Sequence, residues 1–373
     1  MKPLLLLRRM ALLICGCLVL SVATAQKPLN IATTPVPFLR IAPDARSGGM
    51  GDAGIATLPD AGAGFWNMGK VVFNEEDGGA SVSYIPWLKK ISDDVYFASA
   101  GGFYKLDENQ AISIGLRYFS LGNIQFTSDG RNNLGGSNPR EFSVDLGYSR
   151  KLTDGLGLGI AARYVHSGLV NNVADPGVVY QNGTAVAADI GLYYDSRSEG
   201  DGFTFGAAFT NLGSKISYIK NTAEKDFIPA NLGIGASWNK VFNEIHAVSI
   251  GLDVNKLLVP VPEGDSPDAV SRYRQKGVAE SWGNSFGDFP GQVGIAAGLE
   301  YWYDKLFALR GGYYFEAKER GDRQYLTAGI GVRYNILGFN FSYLIPSGNG
   351  ITQHPLSNTL RFSLLLNWSN NAY

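Results

Sequence analysis

Apolar residues alternate with polar or small residues along most of this chain. Between positions 141 and 166 the alternation occurs twice, with a short polar turn around Asp154 and Gly155 between the two runs. In the first run Leu146 lies on the apolar face and Asp145 on the polar face. Because side chains in a β-strand alternate with a period of two, the pattern predicts strands with one apolar and one polar face. Each run has about 10 residues with aromatic residues near its ends, which is typical of a tilted strand crossing a bilayer in an outer-membrane barrel.

From residue 79 onward we count about 14 segments of this kind, which predicts an all-β, antiparallel transmembrane β-barrel. Short polar connections alternate with long ones along the chain. Since outer-membrane barrels place short turns in the periplasm and long loops outside, an even number of strands predicts two periplasmic termini. The predicted strands are 79–87, 95–105, 110–120, 141–150, 156–166, 185–195, 203–211, 229–238, 245–255, 292–302, 306–315, 324–334, 339–344 and 359–368. The predicted long loops are 121–140, 167–184, 212–228, 256–291 and 345–358.

Residues 1–25 have the organisation of an export signal. Positive residues come first, a short apolar run at 10–22 follows, and small residues then form a cleavage pattern. The alternative is a membrane anchor helix, for which the apolar run is too short. Both cysteines, Cys15 and Cys17, lie inside this segment. The mature chain therefore has no cysteine for a disulfide, a thiolate metal site or a cysteine nucleophile.

Residues 26–78 do not alternate and instead contain several prolines and a cluster of glycines. We interpret this stretch as a plug that lies in the lumen of a barrel formed by residues 79–373. The inward positions of the barrel carry charges of both signs, which favours ion pairing inside a filled lumen over a pore selective for one charge. These inward residues are Arg117, Asp145, Arg163, Asp189, Asp253, Glu300, Arg310, Arg333 and Arg361.

The chain offers little catalytic or metal-binding chemistry. It has three histidines, and the predicted topology puts His166 and His246 at opposite ends of the barrel. A dyad of His166 with Ser167 at the outer rim is an alternative to a polar residue at the headgroup level. We expect no enzyme activity, no cofactor and no metal. The net charge of −1 gives no indication of a nucleic-acid partner.

Two consecutive motifs in the predicted plug carry a family resemblance. Residues 37–44 read Pro-Phe-Leu-x-Ile-x-Pro-Asp, and residues 45–54 read Ala-Arg-x-Gly-Gly-Met-Gly-x-Ala-Gly. Together they resemble the PorV family, outer-membrane barrels of the type IX secretion system within the FadL-like superfamily. The second motif alone is common to many FadL-like proteins, and the first points to the PorV family more narrowly. The candidate plug motif is Arg40, Asp44, Arg46, Gly48, Gly49, Met50, Gly51, Gly54, Trp66 and Asn67.

The resemblance implies a function in protein export. Members of this family bind cargo with a C-terminal secretion signal at a large outer-membrane translocon barrel. They pass the cargo to a sortase-like attachment complex at the cell surface. The alternatives are a FadL-like channel for hydrophobic small molecules and an outer-membrane enzyme acting on lipid. A channel requires an apolar pocket and a lateral exit, whereas the inward positions are mostly small or charged.

The long loop 256–291 is the candidate partner-binding surface. It begins with an apolar, proline-rich stretch and later carries several aromatic residues, which are the usual anchors of protein interfaces. The alternative is that this loop folds over the barrel mouth and packs on its neighbours. The candidate residues are Leu257, Leu258, Tyr273, Trp282, Phe286 and Phe289.

Overall fold

The structure is a computed structural model that describes residues 34–87, 92–128, 132–169, 179–262, 264, 266–288, 293–317, 321, 323–346 and 359–369. The predicted export signal, residues 1–25, lies outside this part of the chain. Within the described residues, no helix has both the length and the apolar character needed to cross a membrane.

The described residues form sixteen β-strands, and all but two of them build one closed antiparallel barrel. Neighbours in the barrel are neighbours in sequence, apart from the closing pair β1–β16 and the pair β3–β6, between which β4 and β5 form a separate hairpin. The strands are β1 Gly78–Pro86, β2 Val95–Asp107, β3 Gln110–Leu121, β4 Ile124–Ser128, β5 Asn132–Ser137, β6 Arg140–Lys151, β7 Leu156–Gly168, β8 Gly183–Asp195, β9 Gly202–Gly213, β10 Asn231–Val241, β11 His246–Leu257, β12 Val293–Tyr303, β13 Phe307–Glu316, β14 Gln324–Tyr334, β15 Leu337–Pro346 and β16 Leu360–Trp368.

The predicted fold class, an all-β antiparallel barrel of about 14 strands, is confirmed. The barrel closes where β1 pairs with β16, from Gly78 opposite Trp368 to Tyr84 opposite Phe362. The faces of the strands also follow the alternation. In β6, Asp145 is 5 % exposed towards the lumen, whereas Leu146 is 61 % exposed on the outer surface of the barrel.

Several strand bounds in the structure differ from the predicted ones by one to three residues. The strand predicted at 339–344 is β15, which begins at Leu337 because Leu337 pairs directly with Tyr334. Asn335 adopts a left-handed backbone with φ of 50°, so the chain reverses within two residues and pairing restarts at once.

Two predicted loops contain regular structure. The loop predicted at 121–140 holds the β4–β5 hairpin, and the loop predicted at 256–291 holds helices Pro267–Gln275 and Val278–Asn284 and a 3₁₀ helix, Ser285–Asp288. The first helix begins at a standard N-cap, where Ser266 Oγ accepts a hydrogen bond from the backbone N–H of Ala269 at 3.3 Å.

The described residues 34–77, which we call the plug, lie inside the barrel. They form 3₁₀ helices Pro37–Arg40, Ala63–Phe65 and Met68–Phe73 and a short α-helix, Ala45–Gly49. Buried apolar side chains of the plug pack on inward wall residues near each end of the barrel. The middle of the lumen is polar.

Replacing Gly51 with alanine should destabilise the seated plug. Gly51 has φ of +68°, and an added Cβ would lie 2.6 Å from the backbone nitrogen of Tyr313 in β13. Because neither backbone can move freely, we expect a loss of roughly 2 kcal/mol in stability. The measurement is the temperature at which the fast-migrating folded band disappears on a detergent gel.

Gly283→Ala is the matched control. It lies in helix Val278–Asn284, where a Cβ meets nothing within 4 Å. Alanine at a helical glycine is expected to be neutral or stabilising. Equal transition temperatures for Gly51→Ala and the unchanged chain would show that the close approach to Tyr313 does not constrain the plug.

Candidate functional site

The plug runs through the lumen from one end of the barrel to the other. We call the end with the long connections the loop end and the opposite end the turn end. At the loop end, Arg40 Nη2 donates to Glu316 Oε1 at 2.7 Å, where Glu316 is the last residue of β13. Helix Ala45–Gly49 contacts β13 to β16. At the turn end, the N–H of Asp77 donates to the carbonyl of Trp368, the last residue of β16, at 3.1 Å.

The first described residues of the plug therefore pack at the loop end. Val36 and Phe38 are fully buried there, in one cluster with Ile85 near the end of β1. Residues 26–33 lie outside the described residues. A periplasmic N-terminus stays a prediction.

Arg46 ties the plug to the wall through a buried charge network. Its Nη2 and Nε donate to both oxygens of Glu300 in β12, at 2.8 and 2.9 Å. Its Nη1 donates to Asp60 Oδ2 at 3.0 Å, and Arg310 of β13 donates to Glu300 Oε2 at 2.6 Å. The Glu300 side chain is 1 % exposed, so its charge depends on these two guanidinium groups.

A second network lies along the wall from β3 to β9. Arg117 Nη1 donates to Asp145 at 3.2 Å, and Arg163 bridges Asp145 and Asp189, with 2.7 Å from Arg163 Nη2 to Asp189 Oδ2. The backbone N–H of Asn211 also donates to Asp189, at 2.7 Å, where the β8–β9 pairing shifts register. Asn211 has φ of 57°, which marks a bulge in the wall. At this bulge the carboxylate of Asp189 accepts the N–H that would otherwise bond to the neighbouring strand.

Two further carboxylates join the plug to the wall. Asp52 of the plug accepts hydrogen bonds from Arg361 Nη1 at 2.7 Å and from the Tyr325 hydroxyl at 2.5 Å. Asp253 of β11 accepts two consecutive plug N–H groups, those of Gly54 at 2.6 Å and of the next residue at 2.8 Å.

The prediction of ion pairing inside a filled lumen is confirmed. Every inward charged residue predicted from the sequence pairs with an opposite charge or, for Asp253, with backbone N–H groups. The sequence did not indicate that plug residues supply several of the partners. These are Arg46, Asp52 and Glu76.

Other residues of the candidate plug motif hold the plug's own turns. Asp44 accepts the backbone N–H of Ser47 at 2.8 Å, which caps helix Ala45–Gly49. Its second oxygen accepts Trp66 Nε1–H at 2.6 Å. The Trp66 ring in turn lies against Gly54, where an added Cβ would come within 2.2 Å of the ring. Trp66 and Gly54 of the motif therefore come together beside the buried carboxylate of Asp44.

Asn67 fixes the plug against β8. Its amide donates to the carbonyl of Leu192 at 2.8 Å, and its Oδ1 accepts the N–H of Gly69 at 2.9 Å. Sequence reasoning missed Lys70, which is 2 % exposed and donates to the carbonyl of Gly54 at 2.5 Å. A lysine among the apolar residues of Met68–Phe73 was the sequence signal that could have indicated a buried, hydrogen-bonded charge. The remaining motif members pack on inward faces of strands β12 to β16: Gly48, Gly49, Met50 and Gly51.

The candidate partner-binding loop is only partly available to a partner. Leu257, Leu258 and Tyr273, predicted as interface anchors, are at least 93 % buried, so that prediction is wrong for these three residues. The Tyr273 ring packs edge-on against Phe227 of the neighbouring loop, with 5.2 Å between ring centroids. This part of the loop therefore packs on its neighbours, as the alternative to a partner-binding surface predicted.

Polar contacts complete the packing of the two loops, residues 214–230 and the described part of 258–288, which we call the loop platform. Lys215 Nζ donates to the carbonyls of Arg274 at 2.8 Å and Lys276 at 2.5 Å, at the C-terminus of helix Pro267–Gln275. Arg274 Nε donates to Asp226 at 2.7 Å. Burial lowers the pKa of Lys215 from its usual value, while Asp226 and Glu280 oppose the shift.

The aromatic residues further along this loop are more accessible. Phe286 is 45 % exposed and Trp282 is partly exposed. Phe289 lies outside the described residues. Phe286 and Trp282 therefore remain candidate contacts for a partner on the loop platform.

His166 and Ser167 do not form a catalytic dyad. They are consecutive in β7, so His166 stacks on Phe142 of the outer surface, whereas Ser167 points inward and donates to Glu141 Oε1 at 2.6 Å. Burial raises the pKa of Tyr218 to about 12, and its hydroxyl donates to Ser167 Oγ at 2.9 Å. Among the described residues, no group of three or more His, Cys, Asp or Glu side chains is placed to hold a metal ion.

Two cavities flank the middle of the plug. The larger, of about 680 Å³, lies at the turn end and is lined by apolar residues such as Trp302 and by charged residues of both signs. The smaller, of about 130 Å³, lies in the loop half of the lumen between residues 39–43 of the plug and the wall.

Comparison with solved structures identifies the same barrel architecture. The Ralstonia pickettii toluene transporter TbuX is 14 % identical, with 87 % of this chain and 98 % of that chain covered and a TM-score of 0.51. The P. putida toluene transporter TodX is 12 % identical, with 88 % and 99 % covered and a TM-score of 0.54. At these identities the likeness concerns the fold alone.

Comparison with protein families is more specific. No curated protein matches the chain. The family model described as type IX secretion system protein PorV matches residues 23–264, which is more than half of the sequence. The chain therefore belongs to the PorV family and is an outer-membrane β-barrel of the type IX secretion system.

Proposed function

We propose that this chain binds secreted cargo at the translocon barrel and passes it to a sortase-like attachment complex, using its loop end as the binding face. The observation that carries the proposal is the loop platform. Its two loops are locked together by Lys215, Arg274 and Tyr273, while Phe286 stays exposed. A preorganised surface with an exposed aromatic residue loses little conformational entropy when it binds a protein.

The plug supports a binding role over a conducting one. Buried ion pairs cross from Arg46 to β12 and from Asp52 to β16, so the middle of the lumen is occupied by chain. A component that holds folded cargo at the surface needs no open pore, and a closed lumen keeps the outer membrane sealed during the hand-over.

The alternative is a FadL-like channel for hydrophobic small molecules. TbuX and TodX carry the description toluene transporter, but a channel of that kind needs an apolar path and a lateral exit. In this chain the small cavity is lined by arginine and asparagine side chains. The β3–β6 pairing is continuous from Gln110 to Ser120, and the β8–β9 bulge is filled by Asp189. These features disfavour the channel.

Labelling of single cysteines should place the loop end outside the cell. Gln275, on the loop platform, and Asp154, in the turn between β6 and β7, are both exposed. Because the only native cysteines lie in the predicted export signal, Gln275→Cys or Asp154→Cys supplies a single thiol. A membrane-impermeant maleimide should label Gln275→Cys on intact cells and Asp154→Cys only after permeabilisation. The opposite pattern would reverse the proposed orientation.

Arg46→Ala should open the lumen. In this variant Glu300 keeps its hydrogen bond from Arg310 but loses both hydrogen bonds from Arg46. Removing one partner of a buried ion pair should destabilise the seated plug by about 3 kcal/mol. The displaced state of the plug should then be populated about two orders of magnitude more often. Single-channel recording in planar bilayers measures this change as larger or more frequent conductance steps.

The control is Arg197→Ala, since Arg197 pairs with Asp195 near the turn end rather than with Glu300. Its conductance should match that of the unchanged chain. A large conductance in the unchanged chain that Arg46→Ala does not alter would contradict a sealing plug and favour the channel.

Phe286→Ala should weaken cargo binding if the loop platform is the interface. Phe286 is exposed, so its loss should leave the barrel folded. Removing an aromatic anchor typically costs roughly 2 kcal/mol, or about 30-fold in affinity. We would solubilise native membranes in mild detergent, capture the chain and quantify co-purifying cargo and translocon.

Phe242→Ala is the matched control, because Phe242 is 62 % exposed in a turn at the opposite end of the barrel. It should leave the co-purifying proteins unchanged. Replacing residues 262–288 with a Gly-Ser linker provides a stronger perturbation. Full cargo recovery by a correctly folded linker variant would show that the platform is not the interface.

A further inference from the structure

The small cavity in the loop half of the lumen has an unusual set of walls. The plug forms one side, and the barrel wall contributes residues of β3, of β9 to β11 and of the loop ends of β13 and β14. Its volume of about 130 Å³ is several times the ~30 Å³ that one water occupies in the liquid. Three guanidinium groups line it, those of Arg40, Arg117 and Arg323, while Asp52 is the carboxylate among its described lining residues.

Positive charge is in excess on one side of this cavity. Arg40 of the plug and Arg323 beside β14 both bind Glu316, at 2.7 Å from Arg40 Nη2 and 2.5 Å from Arg323 Nε. Among the described residues, two guanidinium groups thus share one carboxylate here. Asp52 does not offset them, because it already accepts hydrogen bonds from Arg361 and Tyr325.

Arg117 adds a donor that the structure leaves unused. The residue is 3 % exposed, with Nη1 on Asp145 and Nη2 on the carbonyl of Phe65. Its Nε is buried and has no hydrogen-bond partner among the described residues. A buried guanidinium N–H without an acceptor is costly, so an acceptor that reached it would be bound favourably.

The rest of the wall suits a peptide. Asparagine side chains at positions 211, 231 and 255 line the cavity, and Asn231 Nδ2 donates to Asn255 Oδ1 at 2.9 Å. Amide groups of this kind pair readily with backbone N–H and C=O groups. Leu39 and Ile55 supply apolar contacts at the same site.

We propose that this cavity captures the free carboxylate at the C-terminus of a peptide chain. A carboxylate accepts the parallel N–H groups of a guanidinium fork and neutralises the excess positive charge of Arg40 and Arg323. The side chains of these two arginines are 24 % and 23 % exposed, so a group that enters the cavity can contact their guanidinium groups. The identity of that peptide as the end of secreted cargo rests on the proposed function. The carboxylate chemistry does not.

The test uses the full-length chain purified in detergent. Random octapeptides are attached to beads through their N-termini, in one pool with a free C-terminal carboxylate and in a second pool with a C-terminal amide. We expect the acid pool to retain at least 10-fold more protein than the amide pool. Soluble acetate should compete weakly with the acid pool, and inorganic phosphate at the same ionic strength should not compete better than acetate.

Arg323→Gln tests the site itself. Glu316 retains Arg40 in this variant, so the buried carboxylate is still paired and the barrel should fold. Retention on the acid pool should fall at least 10-fold. Arg197→Gln, at the turn end, should leave retention unchanged. The folded state of each variant is checked by heat-modifiable gel migration.

Several outcomes would overturn the proposal. Equal retention on acid and amide pools, or no retention on either pool, would show that the cavity does not recognise a peptide carboxylate. Retention of Arg323→Gln equal to that of the unchanged chain would place binding elsewhere, and stronger competition by phosphate would assign the site to a phosphorylated ligand. Suppose that cargo co-purification depends on Phe286 while the acid and amide pools retain the protein equally. That result would overturn this inference alone and leave the proposed function standing.

Discussion

The lumen contains charges that have been removed from water, and every one of them needs a partner. The period of two that turns Leu146 towards lipid also turns Asp145 inward, so a wall with an apolar outer face carries a polar inner face. Once the plug excludes water, an unpaired inward charge is expensive. The plug itself supplies the missing partners through Arg46, Asp52 and Glu76. Removing one partner of a buried pair costs about 3–5 kcal/mol, so the wall and the plug depend on each other.

This dependence explains which parts of the fold the sequence could predict. Strand number, strand faces and the alternation of turns and loops follow from local pattern, because the lipid and the lumen impose the same period on every strand. The pairing of Arg46 with Glu300 joins residues 254 positions apart and depends on the height of each group in the barrel. Sequence reasoning assigned Glu300 to the lumen and its charge to an ion pair. It had no means to choose Arg46 over another cation.

The connections at the loop end show a different limit. Tyr273 and Phe286 are aromatic residues of one loop, and nothing in their local sequence separates a buried anchor from an exposed one. The distinction comes from Phe227 on another loop, which covers Tyr273 and leaves Phe286 free of that contact. In contrast, the Ser266 cap followed by a proline was a local helix signal and was available in the sequence.

The plug occupies the lumen and also forms one wall of the loop-end cavity, and these two roles are linked thermodynamically. Arg40 belongs to the plug, and it shares Glu316 with Arg323, which belongs to the barrel. The two guanidinium groups are adjacent only when the plug is seated. A carboxylate that contacts both therefore binds more tightly to the state with the plug seated than to the state with the plug displaced. Linkage is reciprocal. The free energy by which seating the plug strengthens ligand binding equals the free energy by which the bound ligand stabilises the seated plug. Occupation of the proposed site would therefore stabilise the seated plug. This is the behaviour expected of a component that receives a protein at the surface and the reverse of that expected of a channel, in which the ligand must displace the plug to pass.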